Sequence, residues 1–269
     1  MAEKIELGTW KAIEDIRKLA PVVHSITNYV VMNNTANALL ALGASPVMAH
    51  AEEEMAEMVG IASALVLNIG TLSGPWIKAM FKAGEQAAAR GLPIVLDPVG
   101  AGATSYRTGT ARDLMDAFRP AILRGNASEI MAVCGDRTRT RGVDSTAASD
   151  AALAAAEAVH ATWGSVVCVS GACDYIIGGR ERYRVDNGHP MMTRVTGLGC
   201  TASALCGAFA AVGRDDFARA AAQAMVTMGV AGELAAAGAE GPGSLQLRFL
   251  DALYRLDAAD LDRLARTGA

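Results

Sequence analysis

The run of residues best suited to chemistry is VTGLGCTAS (195–203), which leads directly into the apolar stretch ALCGAFAAV. Gly197 and Gly199 let the backbone come close to a ligand. A helix starting there presents unpaired N–H groups and a partial positive charge, which suit an anion such as phosphate. Cys200 would sit in the first turn of that helix, where the dipole lowers a thiol pKa and favours a reactive or proton-accepting group. The third glycine of a dinucleotide fingerprint is missing, Ala202 standing in its place, and there is no G-K-[ST] of a Walker loop. A plain tight turn explains the two glycines equally well.

Three other segments have comparable potential. In IVLDPVGAGAT (94–104), Asp97 precedes Pro98 and a loop with Gly100 and Gly102, and it is either an acid aimed at a ligand or a turn cap. In LRGNASE (123–129), Arg124 offers a fork for phosphate, while Asn126 and Glu129 offer oxygen donors of the kind Mg²⁺ takes in phosphoryl transfer. Asn126 and Ser128 are also good helix N-caps with Glu129 in the first turn, and both readings stay open. The fourth segment, HSITNY (24–29), holds Asn28 and is followed by Asn33, Asn34 and Asn37, amides that suit a neutral heteroaromatic substrate. Met48 is either a flat apolar wall beside it or a filler of the core. His50, His160 and His189 have no partner at a spacing that suggests catalysis.

The elements that must position these residues follow from apolar rhythm. Short β-branched or aliphatic runs at 22–25, 45–48, 64–68, 94–97, 121–124 and 165–169 are expected strands. Helical patterns at 33–42, 52–63, 74–90, 111–118, 128–134 and 147–163 lie between them. Strand and helix in turn predict parallel βαβ units with helices on both sheet faces. Runs at 175–178 and 182–185 predict an edge hairpin, and 200–212, 215–237, 243–256 and 260–266 predict a helical C-terminal third. No composition break divides the chain, so 1–269 is expected to be a single α/β domain. In such a sheet ligands sit at the carboxyl ends of the strands, which singles out Asn28, Met48, Asn68, Asp97, Arg124 and Ser170.

Composition narrows the class. The 269 residues are 52% hydrophobic and 19% charged with a formal net charge of −4, which argues against nucleic-acid and membrane-surface partners and against disorder. Five cysteines, none spaced C-x-x-C, fit neither a disulfide framework nor a zinc site. The charged, amphipathic start MAEKIELGTWKAIEDI is unlike a secretory signal, and a cytoplasmic location is expected. The uncharged stretch 195–213 approaches the length of a membrane span, but its Gly, Thr and Ser content predicts a buried helix. So apolar a chain is expected to share surface with other copies, with the low-charge stretch 26–51 as the shared face.

Taken in order, HSITNYVVMNNTANALLALGASPVMAHAEEEM, LVLNIGTLS, VLDPVGAGATSYR, ILRGNASEI and VTGLGCTAS resemble the hydroxyethylthiazole kinases, a thiamine-salvage family of the ribokinase-like superfamily. The resemblance covers almost all of 20–210 and rests on five separate segments. It implies a three-layer α/β/α fold with a mostly parallel sheet. The implied activity is ATP- and Mg²⁺-dependent phosphorylation of the hydroxyethyl group of 4-methyl-5-(2-hydroxyethyl)thiazole. Residue by residue, it places Met48 and Gly197 at the thiazole and Asn28 in the substrate pocket. Arg124 and Ser170, with Asn126 and Gly199, fall at the ATP phosphates, and Asp97 and Glu129 at Mg²⁺. Catalysis falls to Asp97, Arg124 and Cys200, the last in a slot where the wider superfamily carries an aspartate base. The resemblance also implies a homotrimer with active sites at subunit interfaces, the Asn28/Met48 segment of one subunit completing the pocket begun by Asp97, Arg124 and Cys200 of its neighbour. The competing readings are a hydroxymethylpyrimidine or pyridoxal type of kinase, a dinucleotide-dependent oxidoreductase, and a non-catalytic thiazole- or nucleotide-binding protein. The Arg-rich segment 135–146 is assigned no site role.

Overall fold

A computed structural model describes residues 5–135, 145–178 and 182–269. Most of the Arg-rich segment, and residues 179–181 between the two runs of the expected edge hairpin, lie outside them. The described residues build one nine-stranded sheet in the order β2-β1-β3-β4-β5-β6-β7-β8-β9. Strands β1 (Val22–Ile26), β2 (Ser45–Val47), β3 (Ala64–Asn68), β4 (Ile94–Asp97), β5 (Ile122–Asn126) and β6 (Val166–Ser170) are parallel. Antiparallel β7 (Asp174–Ile177), β8 (Tyr183–Val185) and the two-residue β9 (Thr267–Gly268) finish the far edge.

Helices cover both faces, so the strands are apolar on both sides. Val23, Val66, Val95 and Ile122 face α1 (Thr9–Leu19), α2 (Met32–Leu42), α8 (Leu198–Val212), α9 (Phe217–Ala237) and α10 (Pro242–Arg255). Their neighbours Leu65, Leu67, Leu96 and Leu123 face α3 (Met55–Ile61), α4 (Gly74–Ala89), α5 (Ser105–Phe118), α6 (Ala127–Cys134) and α7 (Ser145–Trp163). Each such fully buried side chain contributes about 1.5–3 kcal/mol. The result is the three-layer α/β/α arrangement the sequence predicts.

The uncharged stretch that approached span length is α8, the central core helix. Gly207 lets it lie against the sheet, since a Cβ there would stand 2.7 Å from Val66 Cγ2. Of the described helices, α9 is long and apolar enough to cross a membrane, but 78% of its apolar window is buried inside the fold. Among the boundaries that differ from expectation, three bear on the site or the sheet edge. Helix α5 begins at Ser105 under a Thr104 cap, six residues before the expected 111, because its first turns carry no apolar period. Strand β2 stops at Val47, leaving Met48 outside it. The last helix, α11 (Ala258–Leu264), ends before 266 and the chain pairs with β8 as β9.

Candidate active site

The carboxyl ends of the parallel strands converge with the start of α8. Asn68 and Asp97 are direct neighbours in the β3–β4 ladder, and Asn126 and Ser170 in the β5–β6 ladder. The Asn68 amide donates to Asp97 Oδ2 at 2.7 Å, and Ser203 Oγ, one turn into α8, donates to the same oxygen at 2.7 Å. Asn68 Oδ1 in turn accepts from Asn28 Nδ2 at 2.8 Å, and that amide also reaches Cys200 Sγ at 3.4 Å. A single chain of contacts thus links Asn28, Asn68, Asp97, Ser203 and Cys200. Asp97 Oδ1 is buried and has no hydrogen-bond partner within the protein. Burial pushes the Asp97 carboxyl up to about 6 against the opposing pull of Arg124 and Ser203.

Arg124 lies between two buried acids. Its Nη2 donates to Ser170 Oγ at 2.8 Å, while its buried Nε has no partner. Burial works against its charge, but Asp97 first and Asp174 among others outweigh that and hold its pKa above the ordinary value. Burial likewise raises Asp174 to about 6, opposed by the Gly171 N–H and Arg124. Asp174 escaped the sequence reading because it opens an antiparallel strand, where the strand-end rule does not look. Its place four residues after Ser170 was the available signal.

The Asn126–Glu129 segment is a helix cap that also borders the cleft. Asn126 Oδ1 accepts from Glu129 N at 3.0 Å and Glu129 Oε2 accepts from Asn126 N at 2.9 Å, a complete capping box for α6. Glu129 Oε1 accepts from Gly100 N at 2.9 Å, which ties the loop after Asp97 to the same carboxylate. Asn126 and Glu129 also line the cleft.

The two glycines before α8 are required by the turn and by close approach. Gly197 has φ +84°, and a Cβ on it would lie 2.6 Å from Val31 Cγ1. A Cβ on Gly199 would lie 3.0 Å from an Arg124 guanidinium nitrogen. No side chain caps α8, so its first N–H groups have no capping partner, and Gly199 and Cys200 of that first turn line the cleft. Cys200 does not behave as its helix position suggested. Burial first and Asp97 second raise its thiol to about 11, more than the Asn68 and Asn28 amides and Arg124 lower it.

A cleft of about 430 Å³ brings together Asn28, Asp97, Arg124, Asn126, Glu129, Ser170, Gly197, Gly199 and Cys200. A second, of about 610 Å³, shares Arg124, Ser170 and Gly199 with it and extends over Asp174, Asn187, Met192, Met225 and Met228. Met48 lines neither. It packs half-buried against the core at the β2 edge of the sheet, where a strand end lies one strand beyond β1. The expected division that sent Asn28 with Met48 to a neighbouring subunit's pocket fails for Asn28, which touches Cys200 of its own chain.

Among the described residues no three metal-ligating side chains cluster. A nucleotide-bound divalent cation needs only one or two carboxylates besides phosphate oxygens and waters. Asp97 Oδ1, unpartnered and buried, fits that need. Glu129 spends one bond per oxygen on backbone N–H groups, and a carboxylate has further lone pairs.

The HK hydroxyethylthiazole kinase family model matches residues 13–259. The hydroxyethylthiazole kinase of Syntrophus aciditrophicus is 63% identical over 260 residues, 96% of each chain. Among solved structures, the hydroxyethylthiazole kinase protein from Pyrococcus horikoshii is 43% identical with a TM-score of 0.90, over 97% of this chain and 98% of that one. A ribokinase-like superfamily protein from Enterococcus faecalis, 16% identical with a TM-score of 0.60 over 86% of both chains, shares the fold. With a family match across nearly its whole length and relatives this similar, the chain belongs to the hydroxyethylthiazole kinase family.

Proposed function

We propose that the protein transfers the γ-phosphoryl group of ATP to the hydroxyethyl oxygen of 4-methyl-5-(2-hydroxyethyl)thiazole, supplying thiazole phosphate for thiamine synthesis. The observation that carries this is the junction of two clefts at Arg124, Ser170 and Gly199. The larger takes the nucleotide with its phosphates at the junction, and the smaller takes the alcohol beside Asn28, Gly197 and Cys200. This geometry suits in-line transfer, whose loose transition state needs positioning and charge stabilisation more than a strong base.

Arg124, fixed by Ser170 and kept charged by two buried acids, meets the transferring phosphoryl oxygens together with the N–H groups that open α8. Asn126 helps hold the phosphate end. Asn28 orients the alcohol; the Cys200 thiol is protonated at neutral pH, so it relays the alcohol's proton only by giving up its own to the transferring phosphate oxygens, late in the transfer. A divalent cation, Mg²⁺ in this reading, would be held by Asp97 and Glu129 and would neutralise charge on the phosphates.

Met48 belongs to this reading as a wall supplied by a neighbouring subunit of a homotrimer, since it lies outside its own chain's clefts. Five free cysteines suit a reducing cytoplasm, and residues 1–269 act as one domain. The pyrimidine and pyridoxal alternatives expect an aspartate where Cys200 stands, and a non-catalytic binder would not need Asp97, Arg124 and Glu129 converging on one cleft. An ADP-release assay with the thiazole alcohol, a hydroxymethylpyrimidine and pyridoxal as acceptors tests the assignment. Turnover is expected with the thiazole alcohol, and a faster rate with either of the others would overturn it.

A further inference from the structure

We infer that the enzyme accepts guanosine, cytidine and uridine triphosphates as phosphoryl donors alongside ATP, because the base end of the larger cleft is walled by methionines and has its amide and hydroxyl side chains turned into the protein. The inference rests on the reading that the nucleotide occupies this cleft, and it concerns the end remote from Arg124 and Ser170.

The amide and hydroxyl side chains there, and several backbone N–H groups, are committed one by one. Asn187 Nδ2 donates to Glu233 Oε1 at 3.0 Å and to Leu264 O at 2.8 Å, and its Oδ1 accepts from Arg266 N at 2.8 Å. Gly188 N also donates to Glu233 Oε1, at 2.7 Å, and Arg266 grips that carboxylate from the other side. Thr193 Oγ1 donates to Pro190 O at 2.8 Å, and Pro190 has no N–H. The Met191 and Met192 N–H groups are used by His189 Nδ1 and His189 O, and Gly171 N by Asp174. The remaining wall is Met192, Met225, Met228, Leu198 and Ala202.

Such a wall grips a flat heterocycle by contact and polarizability, and thioethers adapt to different shapes. Discrimination by base edge needs a donor or acceptor that a wrong base leaves unpaired, which gives roughly 10⁴–10⁵-fold selectivity, whereas an apolar pocket separates close analogues by only about 10–200-fold. A base on this wall loses no bond to Asn187 or Thr193 when it is exchanged, because those side chains are already spent within the protein. Two side-chain atoms of this wall stand apart: Asp174 Oδ2, on the Arg124 side of the cleft, and His189 Nε2, on a ring exposed at the rim.

The test is kcat/KM for ATP, GTP, CTP and UTP at saturating thiazole alcohol, with thermal stabilisation by ADP, GDP and UDP as a readout independent of turnover. The expected result is all four donors within about 200-fold. A preference for ATP beyond that range overturns the inference while leaving the kinase reading intact. Turnover with no triphosphate, and no stabilisation by any diphosphate, would overturn both. His189→Ala should leave the ratio of ATP to GTP use unchanged, and a changed ratio would show that the ring reads the base and defeat the inference.

Discussion

Burial of the Asp97 carboxyl at the end of β4 opposes stability in the same place where it prepares the site. Its pKa, about 6, lies above the ordinary value of 3.8, so the folded state holds this proton more tightly than the unfolded chain. Stability from this group is therefore full below about pH 4 and is lost as pH rises through 6, by roughly 3 kcal/mol. Relative to the native protein, Asp97→Asn should gain about that much between pH 4 and pH 7 in urea unfolding. It should also lose roughly 10²–10³ in turnover. A stability difference that is flat with pH would show that Asp97 is not strained by burial. Cys200 tests a different feature, its protonated thiol. Cys200→Ala should keep partial activity, losing less than the roughly 10²–10⁴ typical of an operating general base. Cys200→Asp should stay active, since a carboxylate accepts the same proton and is favoured at the start of α8. Inactive Cys200→Asp enzyme with a native melting profile would remove Cys200 from proton transfer.

Among the elements, those with clean periodicity were legible from sequence and those made by long-range contact were not. The six parallel strands announce themselves as short aliphatic runs closed by polar residues, and their ends supplied Asn28, Asn68, Asp97, Arg124 and Ser170 together. β9 is invisible because two residues, Thr267 and Gly268, have no pattern, and the first turns of α5 are hidden by Thr108 and Gly109. The clamp of Asn187, Glu233 and Arg266 joins residues 33 to 79 positions apart, so no local rule finds it. Met48 follows β2 at the sheet edge and lines neither cleft of its own chain, so the strand-end rule alone does not bring it to the site. In the proposed site one carboxylate at the start of α6 serves as both cap and ligand. Glu129→Gln retains an acceptor but loses charge, and it should cost about 0.5–2 kcal/mol of stability through the cap and loop bonds. Its turnover should fall by more than that destabilisation explains, measured on fully folded enzyme. Specific activity equal to native in a less stable variant would reduce Glu129 to a cap.

For the whole molecule, the open question is what covers the face around 26–51. Tyr29 and Val30 are each 65% exposed and Leu40 58% exposed, all within the low-charge stretch expected to be shared. Val30 lines the mouth of the smaller cleft. Tyr29, His50 and Trp76 form an aromatic cluster, with the His50 and Trp76 rings stacked at 3.9 Å, joining the Asn28 loop to the Met48 loop. A second copy seated there would hide apolar surface and bring its Met48 within reach of a cleft whose other residues come from one chain. In the proposed trimer each site then draws Met48 from one subunit and Asn28, Asp97, Arg124 and Cys200 from another. Met48→Arg and Cys200→Arg should each abolish activity alone. Mixed and allowed to exchange, they should regain part of it, because some interfaces pair an intact Met48 with an intact Cys200. Activity should also fall on dilution in step with dissociation followed by light scattering. A fully active monomer, or no recovery despite exchange proven by mixed-label mass, would place the whole site within one chain and leave Met48 a core residue.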